Sequence, residues 1–361
     1  MVAMISDPNG SSNGNPPAVL TAGGGARLRR AMYLLGLCGA LLLTFLVVRN
    51  GAGEVARAVR AARWGVAAVV VFHLVPLAAD GFSWWILFPK RNRLPLPSLV
   101  WMRWIGESVS NLVPVSSVGG EILRAYLAAL RGVPGGVAAA TVLGDITIGI
   151  CVQTVFTLTG ISLLIIATGR TNLAAPALAG VPLALLAVGG FYAVQRFGVF
   201  RLLNMLGKRF ANDPTWRVFA QKGEGIDASI RSIYENGRAI AICGLSTAFS
   251  WCSVSVEVWI ALRAAGIDAP FTHAIILESI CQGVRAAMFF IPGGLGVQEG
   301  GYVFIGGMLG IPADTALALS LIRRAREIAL GVPGLLVWQF GEYRHLWRGN
   351  QPLATARGEE A

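Results

Sequence analysis

The feature that most constrains this sequence is a series of apolar runs, each long enough to cross a lipid bilayer as a helix. About 20 apolar residues in a helix span the roughly 30 Å hydrocarbon layer. Six runs predict full membrane spans: 31–48, 64–88, 135–168, 173–195, 238–264 and 315–341. Since 55% of the residues are hydrophobic and only 14% are charged, we predict an all-α, polytopic membrane protein.

The ends of the chain differ from this apolar body. Residues 1–30 are rich in Gly, Pro, Ser and Asn, a composition typical of disorder. The basic stretch 27–30 followed by the run 31–48 also resembles a signal peptide, but no small-residue cleavage site follows, so an uncleaved first span is expected. The transmembrane domain is predicted over 31–345, with a short tail at 346–361.

Two other apolar regions, 99–130 and 272–309, are interrupted near their middles by proline and glycine. The residues predicted to form these breaks are Pro114, Gly119, Gly120, Pro292, Gly293, Gly294 and Gly296. Each flank is too short to cross the bilayer. Non-helical backbone at membrane depth is stable only when it is buried in protein or lines a cavity. Both regions are therefore predicted to be re-entrant helical hairpins.

The two breaks belong to an internal repeat with a constant, ungapped offset, which is the separation between Pro114 and Pro292. The same offset aligns Glu121 with Glu299 and Asp145 with Arg323. The units are predicted over 64–168 and 238–341, linked by 173–237, which contains a basic interfacial segment. Tracing the spans gives the units inverted topology, which is typical of secondary transporters with a site near the midplane. Chance alignment of two glycine-rich halves is the alternative.

Lysine and arginine predict the orientation. With the N-terminus inside, the inner segments contain 17 Lys and Arg residues and the outer segments contain 6. Short basic loops stay in the cytoplasm, so we predict a bacterial inner-membrane protein with both termini cytoplasmic. The basic segment 49–63 falls on the outer side, where it is expected to form an interfacial helix.

Fourteen ionisable side chains are predicted at membrane depth, where a charge costs at least about 2.5–3.5 kcal/mol. Those predicted to line a substrate pathway are Glu121, Arg124, Asp145, Glu278, Arg285, Glu299, Arg323, Arg324, Arg326 and Glu327; the others are Asp80, Arg103, Glu107 and Glu257. Guanidinium groups suit bidentate phosphate binding, and helix N-termini after the breaks would add an anion site. The alternative is that these groups neutralise one another as buried ion pairs.

No cofactor, metal or catalytic site is predicted. The five cysteines lie in apolar stretches without ligand spacing, and the three histidines are scattered, as expected for packing residues. The net charge of +11 reflects short basic segments beside the spans, so nucleic-acid binding is not expected. Trp84, Trp85, Trp101 and Trp104 are predicted to form an interfacial aromatic belt.

Two blocks of this sequence resemble a known family. The first contains Gly119-Gly120-Glu121, Arg124, a Gly-Val-Pro turn and Asp145; the second runs from Phe289 through Pro292-Gly293-Gly294-Leu295-Gly296 to Gly301 and is followed by Arg323 to Glu327. Over about residues 30–345 the chain resembles the transmembrane domain of lysylphosphatidylglycerol synthases, a flippase-like domain. The residues of both blocks are most similar to those of a subgroup of membrane proteins associated with hopanoid biosynthesis.

The resemblance implies translocation of a polar lipid, with a hopanoid or a phospholipid as cargo and lipid-biosynthesis enzymes as candidate partners. Aminoacyl transfer is not expected, because the chain ends shortly after residue 345 and lacks room for the soluble transferase domain. Two other hypotheses remain open. One is a membrane-embedded transferase with Glu121 or Glu299 as general base; the other is a scaffold for lipid-synthesis enzymes that transports nothing.

Overall fold

The computed structural model describes residues 63–112, 118–169, 226–288 and 296–349, together with the isolated positions 189, 190, 193 and 291. In these ranges every regular element is helical and none of the described residues forms a strand, so the all-α prediction is confirmed there. The segments and residues that lie outside the described part include span 31–48, nearly all of span 173–195, and the break residues Pro114, Pro292, Gly293 and Gly294.

The first half of the described chain begins with a span that is interrupted at His73. Its helices are α1 (Arg63–Phe72), α2 (Leu74–Leu87), α3 (Leu96–Leu112), α4 (Val118–Leu130) and α5 (Gly135–Thr168). Pro134 precedes α5, and Gly169 closes it in the left-handed conformation, which glycine adopts without steric cost. The helix predicted over 135–168 is confirmed.

The second half contains the helices α6 (226–235), α7 (Gly237–Ala264), α8 (Phe271–Ala287), α9 (Val297–Met308) and α10 (Ala313–Gly349). Asn236 caps α7, because its side-chain oxygen accepts a hydrogen bond from the Ala239 N–H at 3.1 Å. Gly296 precedes α9 with a φ of +77°, a backbone conformation that favours glycine.

Three described stretches are long and apolar enough to cross a membrane: Trp64–Leu87, Gly135–Thr168 and Gly237–Ala264. They coincide with three predicted spans, which confirms that this is a multi-pass membrane protein. Helix α10 covers the predicted span 315–341 and has 37 residues, but a group of charges lies near its middle. Helices α3, α4, α8 and α9 have 17, 13, 17 and 12 residues, fewer than the about 20 needed to cross.

The two halves pack against each other in a crossed arrangement. Helix α2 packs on α7, α3 packs on α10, and α8 packs on α5. Small residues permit the close crossings: a Cβ at Gly160 of α5 would overlap Ser279 of α8, and one at Gly334 of α10 would overlap Ser108 of α3. Without a hydrophobic driving force in lipid, such contacts are what hold membrane helices together.

Two apolar clusters each consist mainly of residues from one half, although Val69 and Leu164 of the first half join the second cluster. The first-half core includes Leu99, Met102 and Ile105, and the second-half core includes Leu277 and Leu319; all five side chains are buried. Charged side chains contact both clusters, since Arg124 lies over Trp84 of the first and Tyr302 of the second donates to Glu278.

Candidate functional site

All fourteen charged residues predicted at membrane depth have a charged or hydrogen-bonding partner, and they form three clusters. The first-half cluster is Asp80, Arg103, Glu121, Arg124 and Asp145; the bridging cluster is His73, Glu107, Glu257 and Arg326; the second-half cluster is Glu278, Arg285, Glu299, Arg323, Arg324 and Glu327. Every predicted pathway residue lies in one of these clusters.

The first-half cluster is centred on Asp145 of α5, which two guanidinium groups share. Arg124, whose side chain is 1% exposed, donates to the Asp145 carboxylate at 3.0 Å and also pairs with Glu121. Arg103 donates to Asp145 at 3.4 Å and to Asp80 at 3.0 Å. Three carboxylates therefore face two guanidinium groups in this cluster.

Two glycines bring α3 and α4 close enough to build this cluster. A Cβ on Gly120 would overlap the carbonyl oxygen of Gly106, and a Cβ on Gly106 would press on the Arg124 side chain. Helix α4 begins at Val118, so Gly119 and Gly120 lie in its first turn and not in the break where they were predicted. Gly120 is needed for close helix packing and not for an open backbone.

The prediction of an interfacial aromatic belt is wrong for Trp84. This side chain is completely buried, its indole N–H donates to Thr141 at 3.2 Å, and the Arg124 guanidinium lies 4.9 Å from its ring centroid. Such cation–π contacts stabilise a desolvated guanidinium. The Trp104 indole N–H donates to the Leu330 carbonyl at 2.9 Å, which ties α3 to α10.

The second-half cluster is centred on Glu327 of α10. Its carboxylate accepts hydrogen bonds from Arg285 at 2.9 Å and from Arg324 at 3.1 Å. Arg323, one turn earlier on α10, stays 3.8 Å away and pairs more closely with Glu278 of α8. Three carboxylates and three guanidinium groups meet in this cluster, so its formal charges balance.

The N-terminus of α9 is occupied by a carboxylate of the protein itself. Glu299 accepts a hydrogen bond from the Gly296 N–H at 2.7 Å and from Arg324 at 3.0 Å. A carboxylate in the first turn satisfies free amides and interacts favourably with the helix dipole. The anion site predicted at this N-terminus is therefore filled internally in this conformation.

The bridging cluster contains His73, a functional candidate that the sequence patterns missed. Its Nδ1 lies 2.8 Å from Glu257 and its Nε2 lies 3.1 Å from Glu107. Arg326 pairs with Glu257. The only available signal was a histidine inside an apolar run, and its partners are 34 to 253 residues away in sequence.

The two interrupted regions meet at the ends of α3 and α8. Arg285, near the end of α8, donates to the Asn111 side-chain oxygen near the end of α3 at 2.9 Å. The same guanidinium donates to the Gln298 side-chain oxygen at 3.3 Å. The contact joins the polar ends of the two helices that lead into the predicted breaks.

Access to the charged groups is narrow in this conformation. The Arg103 and Arg285 side chains are 24% and 21% exposed, whereas most of the other charged groups are nearly buried. The Nε–H groups of Arg103, Arg124, Arg323 and Arg326 and the side-chain amide nitrogen of Gln298 are buried without a hydrogen-bond acceptor among the described residues. Buried donors without acceptors are costly, so oxygen atoms of a ligand could accept hydrogen bonds from these N–H groups.

These features define a class: a multi-pass helical membrane protein in which short helices leading to two interruptions meet beside a buried network of charges. Such a network is far more costly than a membrane anchor requires. The chain belongs to the lysylphosphatidylglycerol synthase transmembrane-region family, whose sequence model matches residues 33–334. Membership makes it a lipid-related membrane protein and confirms the family resemblance. No curated protein matches the chain in sequence, and the hopanoid-associated subgroup stays a prediction.

Proposed function

We propose that this protein moves a polar lipid between the leaflets of the bacterial inner membrane, with both termini cytoplasmic. The head group would pass beside the charged clusters where the two interrupted regions meet, while the apolar tails stay in the bilayer. The observation that carries the proposal is the contact between Asn111 and Arg285 (2.9 Å), which joins the two regions beside these charged clusters.

Matching helix ends support the inverted repeat on which the proposal depends. When shifted back by the repeat offset, α9 and α10 would cover 119–130 and 135–171, close to α4 at 118–130 and α5 at 135–168. Gly132 and Gly310, which are separated by the same offset, both have positive φ angles, of 88° and 76°. The crossed packing of α3 on α10 and of α8 on α5 is also what a pseudo-twofold relation would produce.

Short helices support the assignment of two re-entrant hairpins. Helices α3 and α4 flank one interruption, α8 and α9 flank the other, and none of the four reaches the about 20 residues of a full span. The helices also pack in pairs, α3 on α4 and α8 on α9, as the two arms of a helical hairpin would.

The unsatisfied donors of the arginines favour an oxygen-rich head group. Phosphate and hydroxyl oxygens would accept hydrogen bonds from Arg323 Nε–H and the Gln298 amide, which have no acceptor among the described residues. We take a hopanoid-linked polar lipid as the first cargo to test and phosphatidylglycerol as the second. The energy source would be an ion gradient, the membrane potential or consumption of the moved lipid.

Reconstitution in liposomes with a fluorescent lipid tests the proposal, with the rate at which the label becomes accessible to a membrane-impermeant quencher as the readout. Arg285→Gln removes the contact with Glu327 and Asn111, and we expect it to slow transfer at least about tenfold, or roughly 1.4 kcal/mol in barrier height. The matched control is Arg263→Gln, because Arg263 pairs with Asp268 on the exposed turn after α7. If folded Arg285→Gln protein transfers lipid as fast as wild type, the site is wrong.

All six arginines predicted at membrane depth are paired with carboxylates. This pairing favours one alternative function, a scaffold for lipid-synthesis enzymes whose buried ion pairs are structural. The double variant Arg324→Gln with Glu299→Gln removes one pair without changing net charge. If the protein is a scaffold, the double variant should still bind its partner enzymes, and neither the variant nor the wild-type protein should transfer lipid. If it is a translocase, the wild-type protein should transfer lipid and the double variant should not.

A further inference from the structure

His73 occupies an unusual position, because it interrupts a membrane span and contacts helices from both halves. Helix α1 ends at Phe72 and α2 begins at Leu74. The imidazole is buried, with Nε2 facing Glu107 of the first half at 3.1 Å and Nδ1 facing Glu257 of the second half at 2.8 Å. It is therefore one of the side chains through which the polar clusters of the two halves touch.

Two carboxylates on opposite sides of the ring determine how many hydrogens the ring must carry. Neutral imidazole has one N–H donor and one bare nitrogen acceptor. A bare nitrogen this close to a carboxylate oxygen would place two acceptors against each other. With both carboxylates ionised, both contacts are hydrogen bonds only when His73 is an imidazolium ion that donates to Glu107 and to Glu257.

The site also has a ready arrangement for the neutral ring. Arg326 Nη1 lies 3.0 Å from His73 Nδ1, a contact that is unfavourable for an imidazolium but becomes a hydrogen bond once Nδ1 is bare. In the neutral state Nε2–H would still donate to Glu107, and Glu257 would keep its pair with Arg326. Loss of one proton from Nδ1 therefore replaces the hydrogen bond from His73 to Glu257 with a hydrogen bond from Arg326 to His73.

The surroundings favour a proton over a metal ion as the bound cation. The charged groups that face the ring are Glu107 from α3, Glu257 from α7 and Arg326 from α10. The guanidinium would repel a metal ion, and no group of three or more His, Cys, Asp or Glu residues with metal-binding geometry is found in the described part of the chain. A proton needs only one nitrogen.

A small cavity beside the ring could hold a water molecule that accepts the proton. It is lined by polar side chains of both halves, including His73, Glu107, Asn111 and Glu327. Its size suits about one water molecule. Such a water would lie between the bridging cluster and the second-half cluster, next to Asn111, whose side chain accepts from Arg285.

We propose that His73 is a proton-binding site whose protonation state controls the contact between the two halves of this protein. With the proton bound, His73 joins Glu107 of the first half to Glu257 of the second. When Nδ1 loses its proton to water, the hydrogen bond to Glu257 of α7 is replaced by a hydrogen bond from Arg326 of α10, so His73 changes its partner helix in the second half. Coupling of this step to lipid movement rests on the proposed function, whereas proton binding does not.

Nuclear magnetic resonance of protein labelled with ¹⁵N in histidine tests the proton site directly. The chain has only three histidines, so the double variant His273→Gln with His345→Gln leaves His73 as the one signal in an otherwise intact site. We expect ring shifts of an imidazolium at acidic pH and of the Nε2–H tautomer at alkaline pH. A ring that stays neutral over the whole range, or whose neutral form carries hydrogen on Nδ1, overturns the proposal. In the Glu257→Gln variant of the same double-variant protein, the pH at which the ring titrates should shift.

A pH gradient across the liposomes tests the coupling. In wild type, the ratio of lipid transfer rates with the gradient in its two directions should differ from one, and in His73→Gln the ratio should fall to one. The Arg263→Gln control should keep the wild-type ratio. Normal titration of His73 without lipid transfer in any protein would refute the proposed function and leave the proton site standing. Lipid transfer with a ratio of one in wild type would refute the coupling.

Discussion

The first-half and second-half clusters are built on corresponding helices but differ in charge. The first has three carboxylates and two guanidinium groups around Asp145, and the second has three of each around Glu327. At the predicted repeat offset the sign reverses where Asp145 aligns with Arg323, and it is kept where Glu121 aligns with Glu299. Arg103 and Arg124 align with the uncharged residues Cys281 and Tyr302, so the two clusters share only some of their charged positions.

The difference indicates separate roles for the two halves. A buried network with balanced charges can remain closed without any ligand, because each charge has an opposite neighbour. A network with one carboxylate in excess is stable only if that carboxylate is partly hydrated or takes up a proton. In the first-half cluster, Asp80 and Glu121 are 22% and 26% exposed and each pairs with one guanidinium group. Glu121 is also favoured by its place in the first turn of α4, which leaves Asp80 as the candidate for the excess group.

The largest effect is expected from Arg124→Met, which removes one of only two guanidinium groups in the first-half cluster. Asp145 and Glu121 would be left under-compensated in a buried site, so we expect a loss of about 3–5 kcal/mol in unfolding free energy. Denaturation of the purified protein in detergent, followed by loss of helical circular dichroism, measures it. Arg131→Met is the matched control, because Arg131 is an exposed residue.

A smaller loss is expected from Glu327→Gln in the second-half cluster. The amide can still accept a hydrogen bond from Arg285 or Arg324, but its lost charge leaves three guanidinium groups facing two carboxylates. The expected loss is about 2 kcal/mol, in the range for hydrogen bonds to charged groups, measured by the same denaturation. A loss larger than that of Arg124→Met would contradict the idea that the balanced cluster is the better compensated one.

Matched glycine substitutions sharpen the comparison of the two backbones. Gly132→Ala and Gly310→Ala each place a Cβ at a positive φ angle, and no neighbouring atom lies within 4 Å of either Cβ position. Each should lower the unfolding free energy by about 1–2 kcal/mol through backbone strain alone. If the predicted repeat is real, the two turns are equivalent, so unequal losses would contradict it.

The smallest effect is expected from Asp80→Asn. Neutralising the excess carboxylate balances the first-half cluster, so the change in unfolding free energy should stay within about 0.5 kcal/mol, as for tolerated substitutions. Glu121→Gln is the comparison. The Glu121 carboxylate also stabilises the first turn of α4, so its loss should lower the unfolding free energy more. A strong destabilisation by Asp80→Asn would show that Asp80 is ionised and fully compensated.

The boundaries of the described helices were largely predictable because they depend on nearby residues. The long helix over 135–168 begins after Pro134 and ends at Gly169, where local backbone preferences stop it. The set of buried charges was predictable for the same reason, since each lies in an apolar stretch. The position of the first break was harder to predict from the sequence. Gly119 and Gly120 lie in the first turn of α4, where Gly120 permits close packing on α3.

The sequence by itself determined that this chain is helical, lies in a membrane and buries many charges, because hydrophobicity and the effects of proline and glycine act over a few residues. Only the tertiary structure decided which charges meet. Arg124 reaches Asp145 across 21 residues, and His73 reaches Glu257 across 184. Such pairs depend on how helices rotate and cross, which is set by close packing at glycines such as Gly106 and Gly120.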